Sequence, residues 1–211
     1  MEAKFTEQES LTLIGEMIKQ ARNNFQKGSG NSMIFSGTLI SVLAIINFIL
    51  ALIFIKMNIN PNFSFWMWLL MIPGVVTGRL IDKKVKRETI VKTHIDSIVS
   101  SIWNGFLYSI LIFLIVIFCI GFGKKMYDLF ILVNPIIFIL LGYAEFVSAK
   151  AYRFKPYLLG AIVMWIGALA CIALMWTPEP VLFQLFVLAL CMFFGFVIPG
   201  YQLNKKAKEN V

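Results

Sequence analysis

The stretch that decides the fold is Pro73–Arg87, P-G-V-V-T-G-R-L-I-D-K-K-V-K-R. It closes an apolar run of membrane length and opens the most basic segment of the chain. An apolar run that stops at a cluster of lysines and arginines reads as a span ending at a cytoplasmic face. The pattern has an echo. Gly78-Arg79-Leu80-Ile81-Asp82-Lys83-Lys84 aligns with Gly200-Tyr201-Gln202-Leu203-Asn204-Lys205-Lys206. Both copies read Gly, two variable residues, an aliphatic, Asp or Asn, then Lys-Lys.

Outward from this stretch the chain is apolar throughout. Hydrophobic residues make up 59% of it, and its mean hydropathy is +0.82. A soluble domain of this length would be near half apolar. The apolar residues fall in runs long enough to cross a hydrocarbon core roughly 30 Å thick. Six runs are predicted to span, at 32–55, 62–81, 101–122, 126–147, 157–177 and 181–203. The expected fold is all-α, a polytopic membrane helical bundle of six transmembrane helices. It occupies residues 1–211 as one membrane domain, with no room for a separate soluble one.

The net charge of +8 has a topological explanation that does not need nucleic acid as a partner. With the N-terminus inside, sixteen of the nineteen Lys and Arg residues fall on the cytoplasmic side, leaving Lys56, Lys124 and Lys125 outside. Both termini are therefore expected in the cytoplasm of a cell whose inner membrane holds the chain. No cleaved leader is expected, because the first apolar run begins near residue 32 and no A-x-A-like site follows it.

Amphipathic cytoplasmic helices are expected beside the spans. Thr6-Glu7-Gln8-Glu9 fits a capping box. Leu11, Ile14, Ile18, Ala21 and Phe25 then recur at helical spacing, which predicts a helix over 7–27. Its charges nearly cancel, which argues for packing on protein rather than adsorption to anionic lipid. The basic loop 82–100 carries a similar stripe, Val91, Ile95, Ile98 and Ile102, and is expected to run helically into the third span with a bend near Trp103-Asn104-Gly105. A protein partner or self-association through residues 7–27 and 85–100 is one expectation from these stripes. The even-numbered spans each carry a Gly near the inner end, so three helical hairpins related as a repeat is a further expectation. The alternative is that any inward-ending span finishes in a Gly and a Lys pair.

Glu9-Ser10-Leu11 through Ile14, Met17-Ile18, Ala21, Asn24 and Gly30-Asn31-Ser32-Met33-Ile34 resemble an uncharacterised group of small bacterial six-span integral membrane proteins. The resemblance covers residues 6–35. It implies a bacterial cytoplasmic membrane and carries no catalytic or binding residue with it.

No catalytic constellation stands out, and neither a cofactor nor a metal site is expected. His94 is the one histidine and sits among charges on the loop. Cys119, Cys171 and Cys191 all fall within apolar spans, read as small buried hydrophobes. Phosphate-loop, metalloprotease and serine-hydrolase motifs do not occur, so an enzyme is the least favoured reading. Polar residues inside spans are costly and mark function more often than polar residues elsewhere. Asn47, Asn134 and Gln184 form a candidate polar site in the outer half; they either line a pocket or hydrogen-bond helices together. Arg79 and Glu145 lie at similar depth near the inner boundary and form a candidate ion pair, unless both snorkel to the interface unpaired. Pro73-Gly74, Asn134-Pro135 and Pro199-Gly200 interrupt the even-numbered spans; broken helices at corresponding positions point to a transporter site, while Pro and Gly are also common in membrane helices without transport.

Two function classes follow. A structural, regulatory or sensory protein working through a partner fits the striped helices and the lack of a carboxylate at mid-depth. A small transporter or channel for a neutral solute fits the interrupted spans.

Overall fold

The computed structural model describes residues 30–87 and 94–209, and Gln8, Leu11, Thr12 and Gly15 within the first 29. Most of the expected helix over 7–27, and Val91 of the stripe in the basic loop, lie outside the described residues; Ile95, Ile98 and Ile102 are described and helical. The four described N-terminal residues are helical, and Thr12 Oγ1 donates to the carbonyl of Gln8 one turn back (2.8 Å).

Among the described residues the chain is helical with no strand. Lipid offers no partner for a backbone N–H or C=O, so an apolar chain of this kind satisfies its backbone within helices. Helix α1 is Asn31–Lys56. A 3-10 segment, Pro61–Leu70, leads into α2, Met71–Arg87. Helix α3 is His94–Gly123. A second 3-10 segment, Tyr127–Leu132, leads into α4, Val133–Tyr152. Helix α5 is Lys155–Ala173. Helix α6, Pro180–Met192, continues through a π segment, Phe193–Val197, into α7, Ile198–Glu209.

Five of these helical stretches are long and apolar enough to cross a membrane: Asn31–Lys56, His94–Gly123, Tyr127–Tyr152, Lys155–Trp176 and Pro180–Glu209. The expected second span is different. It too is helical, its first part wound as the 3-10 segment and the rest as α2. At the expected bend, Trp103-Asn104-Gly105, the helical winding of α3 is unbroken.

The three expected interruptions lie just upstream of the residues expected to cause them. Pro73 and Pro135 each sit at the third position of an α-helix, and the 3-10 winding comes immediately before. Pro199 is the second residue of α7, and the π segment precedes it. Proline lacks an N–H and crowds the carbonyl four residues earlier, so the cost falls on the preceding turn. At Pro199 the carbonyl deprived of its α-type donor is that of Gly195. The Ile198 N–H reaches back five residues to Phe193 O, which is the π pattern. Gly74 and Gly200 are themselves inside regular helix.

Packing does not follow the expected hairpins. The most extensive pairings are α4 with α5 and α1 with α6, and each joins two expected hairpins. The two halves of the Gly…Lys-Lys echo both lie against the first turns of α1. Gly78 rests at ordinary contact distance from Ser36 and Phe35, while Gly200 backs directly on Gly30 and Ile34. A methyl group on Gly30 would collide with the Gly200 carbonyl. Asn204, one turn further, accepts a hydrogen bond from the Gly30 N–H (2.9 Å) and donates to Asn31 Oδ1 (2.7 Å). The orphan amide at the start of α1 is thus satisfied by a residue from the far end of the chain.

Candidate functional site

The buried polar residues fall at two levels of the bundle. At the level away from the Lys-rich ends of α2 and α7, the trio Asn47, Asn134 and Gln184 does not converge. It divides into two pairs. Asn47 on α1 is fully buried and meets Ser64 of the first 3-10 segment. The Ser64 hydroxyl lies 2.7 Å from Asn47 Oδ1 and 2.8 Å from Pro61 O, one hydrogen shared between two acceptors. Asn47 Nδ2 has no partner. Asn134 Nδ2 donates to Gln184 Oε1 at a long 3.4 Å, and Gln184 Nε2 donates to the Cys171 carbonyl (3.1 Å). Gln184 therefore links α4, α5 and α6. Each of these groups cross-braces helices, as polar side chains in membrane bundles commonly do.

The other level holds Glu145, and here the expectation of an ion pair is overturned. Arg79 is exposed on α2, whose main packing partner is α1. Glu145 has no exposed surface, and neither carboxylate oxygen has a hydrogen-bond partner. The physical reason is the face of α4 that carries it. Gly142, one turn back, abuts Trp165 and Ala161 of α5, and Glu145 shares that face. The side chain is turned inward against α5. It lies within α4 and not at its end. Seven residues separate it from Tyr152, about 10 Å along the axis at roughly 1.5 Å per residue.

Gly160 on α5 is where this carboxylate rests. A Cβ there would stand 2.7 Å from Glu145 Oε2 and 2.6 Å from the Gly195 carbonyl oxygen of the π segment. The two oxygens border one point and lie no more than about 5.3 Å apart. The Gly195 oxygen belongs to the carbonyl that Pro199 leaves without its α-type donor. Ser148, one turn on from Glu145, gives its hydroxyl hydrogen to the Ala144 carbonyl (2.7 Å). Met164 closes the other side, against Gly195. The carboxylate meets a backbone carbonyl here and has no hydrogen-bond donor of its own. A bare carboxylate buried this way is costly by several kcal/mol, and intramembrane carboxylates mark ion and proton pathways. Carboxylate and backbone carbonyl oxygens are hard ligands, suited to a proton or a small cation rather than to a soft metal. No group of three His, Cys, Asp or Glu residues able to hold a metal ion occurs among the described residues.

Sequence reasoning named Glu145 but not Gly160 or Gly195. The signal was present as spacing: Gly142 three residues before Glu145 marks the close-packed face, and Gly195 four residues before Pro199 marks the loosened carbonyl. No family model, no curated protein and no solved structure matches this chain.

Proposed function

We propose that the chain is a six-span integral protein of a bacterial cytoplasmic membrane, with both termini cytoplasmic. In this reading it moves a small neutral solute together with a proton or small cation held at Glu145. The observation that carries it is the buried, partnerless Glu145 carboxylate beside the Gly195 carbonyl at the π segment. Short π turns in helices recur at functional sites, and broken helices that present carbonyl oxygens to a cation are a transporter device. The partner-dependent regulatory reading stands as the alternative, resting on the stripe of which Ile95 and Ile98 are exposed.

The span to be added to the five, second in chain order, is 62–81. Its 3-10 part rises roughly 2 Å per residue and its α part roughly 1.5 Å, so the stretch reaches about 35 Å despite its modest length. Orientation follows the charges. Arg79, Lys83, Lys150, Arg153, Lys155, Lys205, Lys206 and Lys208 lie toward one end of the helices, and Lys56, Lys124 and Lys125 toward the other. The former is the cytoplasmic end by the positive-inside rule. A membrane-impermeant thiol reagent on intact cells should label Ile59→Cys and spare Glu209→Cys; the reverse pattern would invert the orientation.

The function is tested with the full-length protein in liposomes on a solid-supported membrane, exposed to jumps in proton, sodium or potassium concentration. Wild type should give a transient current with one of these ions, and Glu145→Gln should give none while keeping its helical content. Absence of current with all three, or a full current in the variant, overturns the reading.

A further inference from the structure

We infer that the turn between α4 and α5, together with the end of α7, binds the phosphate headgroup of an anionic phospholipid. The inference is independent of any role for Glu145.

The turn is short and highly charged. Lys150, Arg153 and Lys155 fall within six residues and are all exposed. Arg153 adopts the left-handed conformation (φ 50°) that ends α4, and Phe154 is extended before α5 begins at Lys155. Phe154 is buried, its ring edge-to-face with Tyr157. The end of α7 docks on that ring, with Lys206 Nζ 5.4 Å from its centroid. This brings Lys205 and Lys208, both exposed, to the same end of the bundle as the turn. Two segments some fifty residues apart in sequence thus pool their cations through one aromatic anchor. Among the described acidic residues nearby, Asp96 accepts a hydrogen bond from the Tyr152 hydroxyl (2.9 Å), and Glu209 lies at the far end of α7.

The neighbouring surface distinguishes a lipid from a free phosphate ion. Leu159 lies one turn beyond Lys155 on α5, and Ile162 the next; both are exposed. Tyr201 lies one turn before Lys205 on α7 and is exposed too. Residues at this spacing share a helix face. Each line of cations therefore continues, toward the centre of the bundle, into apolar surface. A phosphate held by the cations would leave its acyl chains along Leu159, Ile162 and Tyr201. Clusters of this size beside a span attract anionic headgroups.

The test is native mass spectrometry of the full-length protein in a neutral detergent with added cardiolipin, phosphatidylglycerol or phosphatidylcholine. Wild type should retain the anionic lipids and not phosphatidylcholine. Each neutralised cation should weaken retention about fivefold, so the triple variant Arg153→Ser/Lys155→Ser/Lys205→Ser should lose on the order of a hundredfold. Lys124→Ser/Lys125→Ser, at the opposite end, should retain lipid as wild type does. Should the triple variant not fold, the single variants must each show the fivefold loss. Equal retention of phosphatidylcholine, undiminished retention in the variants, or displacement of the lipid by millimolar inorganic phosphate would each overturn the inference.

Discussion

Replacing Gly160 by alanine tests the packing around Glu145 directly. In an isolated helix the change would be favourable by about 1 kcal/mol, because alanine is the better helix former. Here the added methyl would stand 2.6 Å from the Gly195 carbonyl oxygen, 2.7 Å from Glu145 Oε2 and 3.1 Å from Glu145 Cδ. The carboxylate has rotatable bonds and can retreat, but the carbonyl is backbone and cannot move without its helix. Overpacking of this kind costs about 1–3 kcal/mol, and a clash against backbone belongs in the upper part of that range. The net expectation is a loss of about 1–2 kcal/mol, or roughly 2–8 °C in Tm for a chain of this size. Gly105 is the control. It lies within α3, and nothing stands within 4 Å of a Cβ placed there, so Gly105→Ala should hold or slightly raise Tm. Unfolding would be followed by circular dichroism in detergent micelles. A second arm adds Glu145→Ala to Gly160→Ala. The pair should be coupled by at least 0.5 kcal/mol, since one of the two obstacles to the methyl has gone. If Gly160→Ala is as stable as Gly105→Ala, or the two changes at 145 and 160 simply add, then Glu145 does not rest on Gly160 as described.

Ser64→Ala removes the hydroxyl on which Asn47 Oδ1 depends and should cost about 1 kcal/mol. Adding Asn47→Leu should recover most of that loss in thermal unfolding, because no buried amide then remains unpaired. Asn204→Leu deprives the Gly30 N–H of its acceptor and Asn31 of its donor. It should cost about 1 kcal/mol, as loss of a helix cap does, and speed amide hydrogen exchange at the start of α1 while leaving the centre of α1 protected.

Much of this protein was legible as one-dimensional pattern. Long apolar runs predict long helices wherever they occur, because helix length depends only on consecutive residues and a fixed rise. Five of the six expected spans are helices of that length. The winding within 62–81 is what pattern cannot see, since 3-10 and α windings of the same residues differ in rise and not in composition. The prolines pointed to real irregularities, displaced upstream because the damage proline does falls on the carbonyl four residues before it.

The candidate site was half legible. Glu145 stood out by residue type alone, yet its partner was misassigned to Arg79 because depth along a span says nothing about direction around it. Asn47 and Asn134 were expected at similar depth and face different neighbours, Ser64 and Gln184. Sequence by itself determined the helical class, the membrane-length runs and the gathering of cations at one end, all of them sums over adjacent residues. Only the tertiary structure decided that Glu145 turns toward Gly160 and Gly195, and that Asn204 closes on Gly30. Both depend on which helix packs against which, and that is set by shape complementarity between residues far apart in the chain.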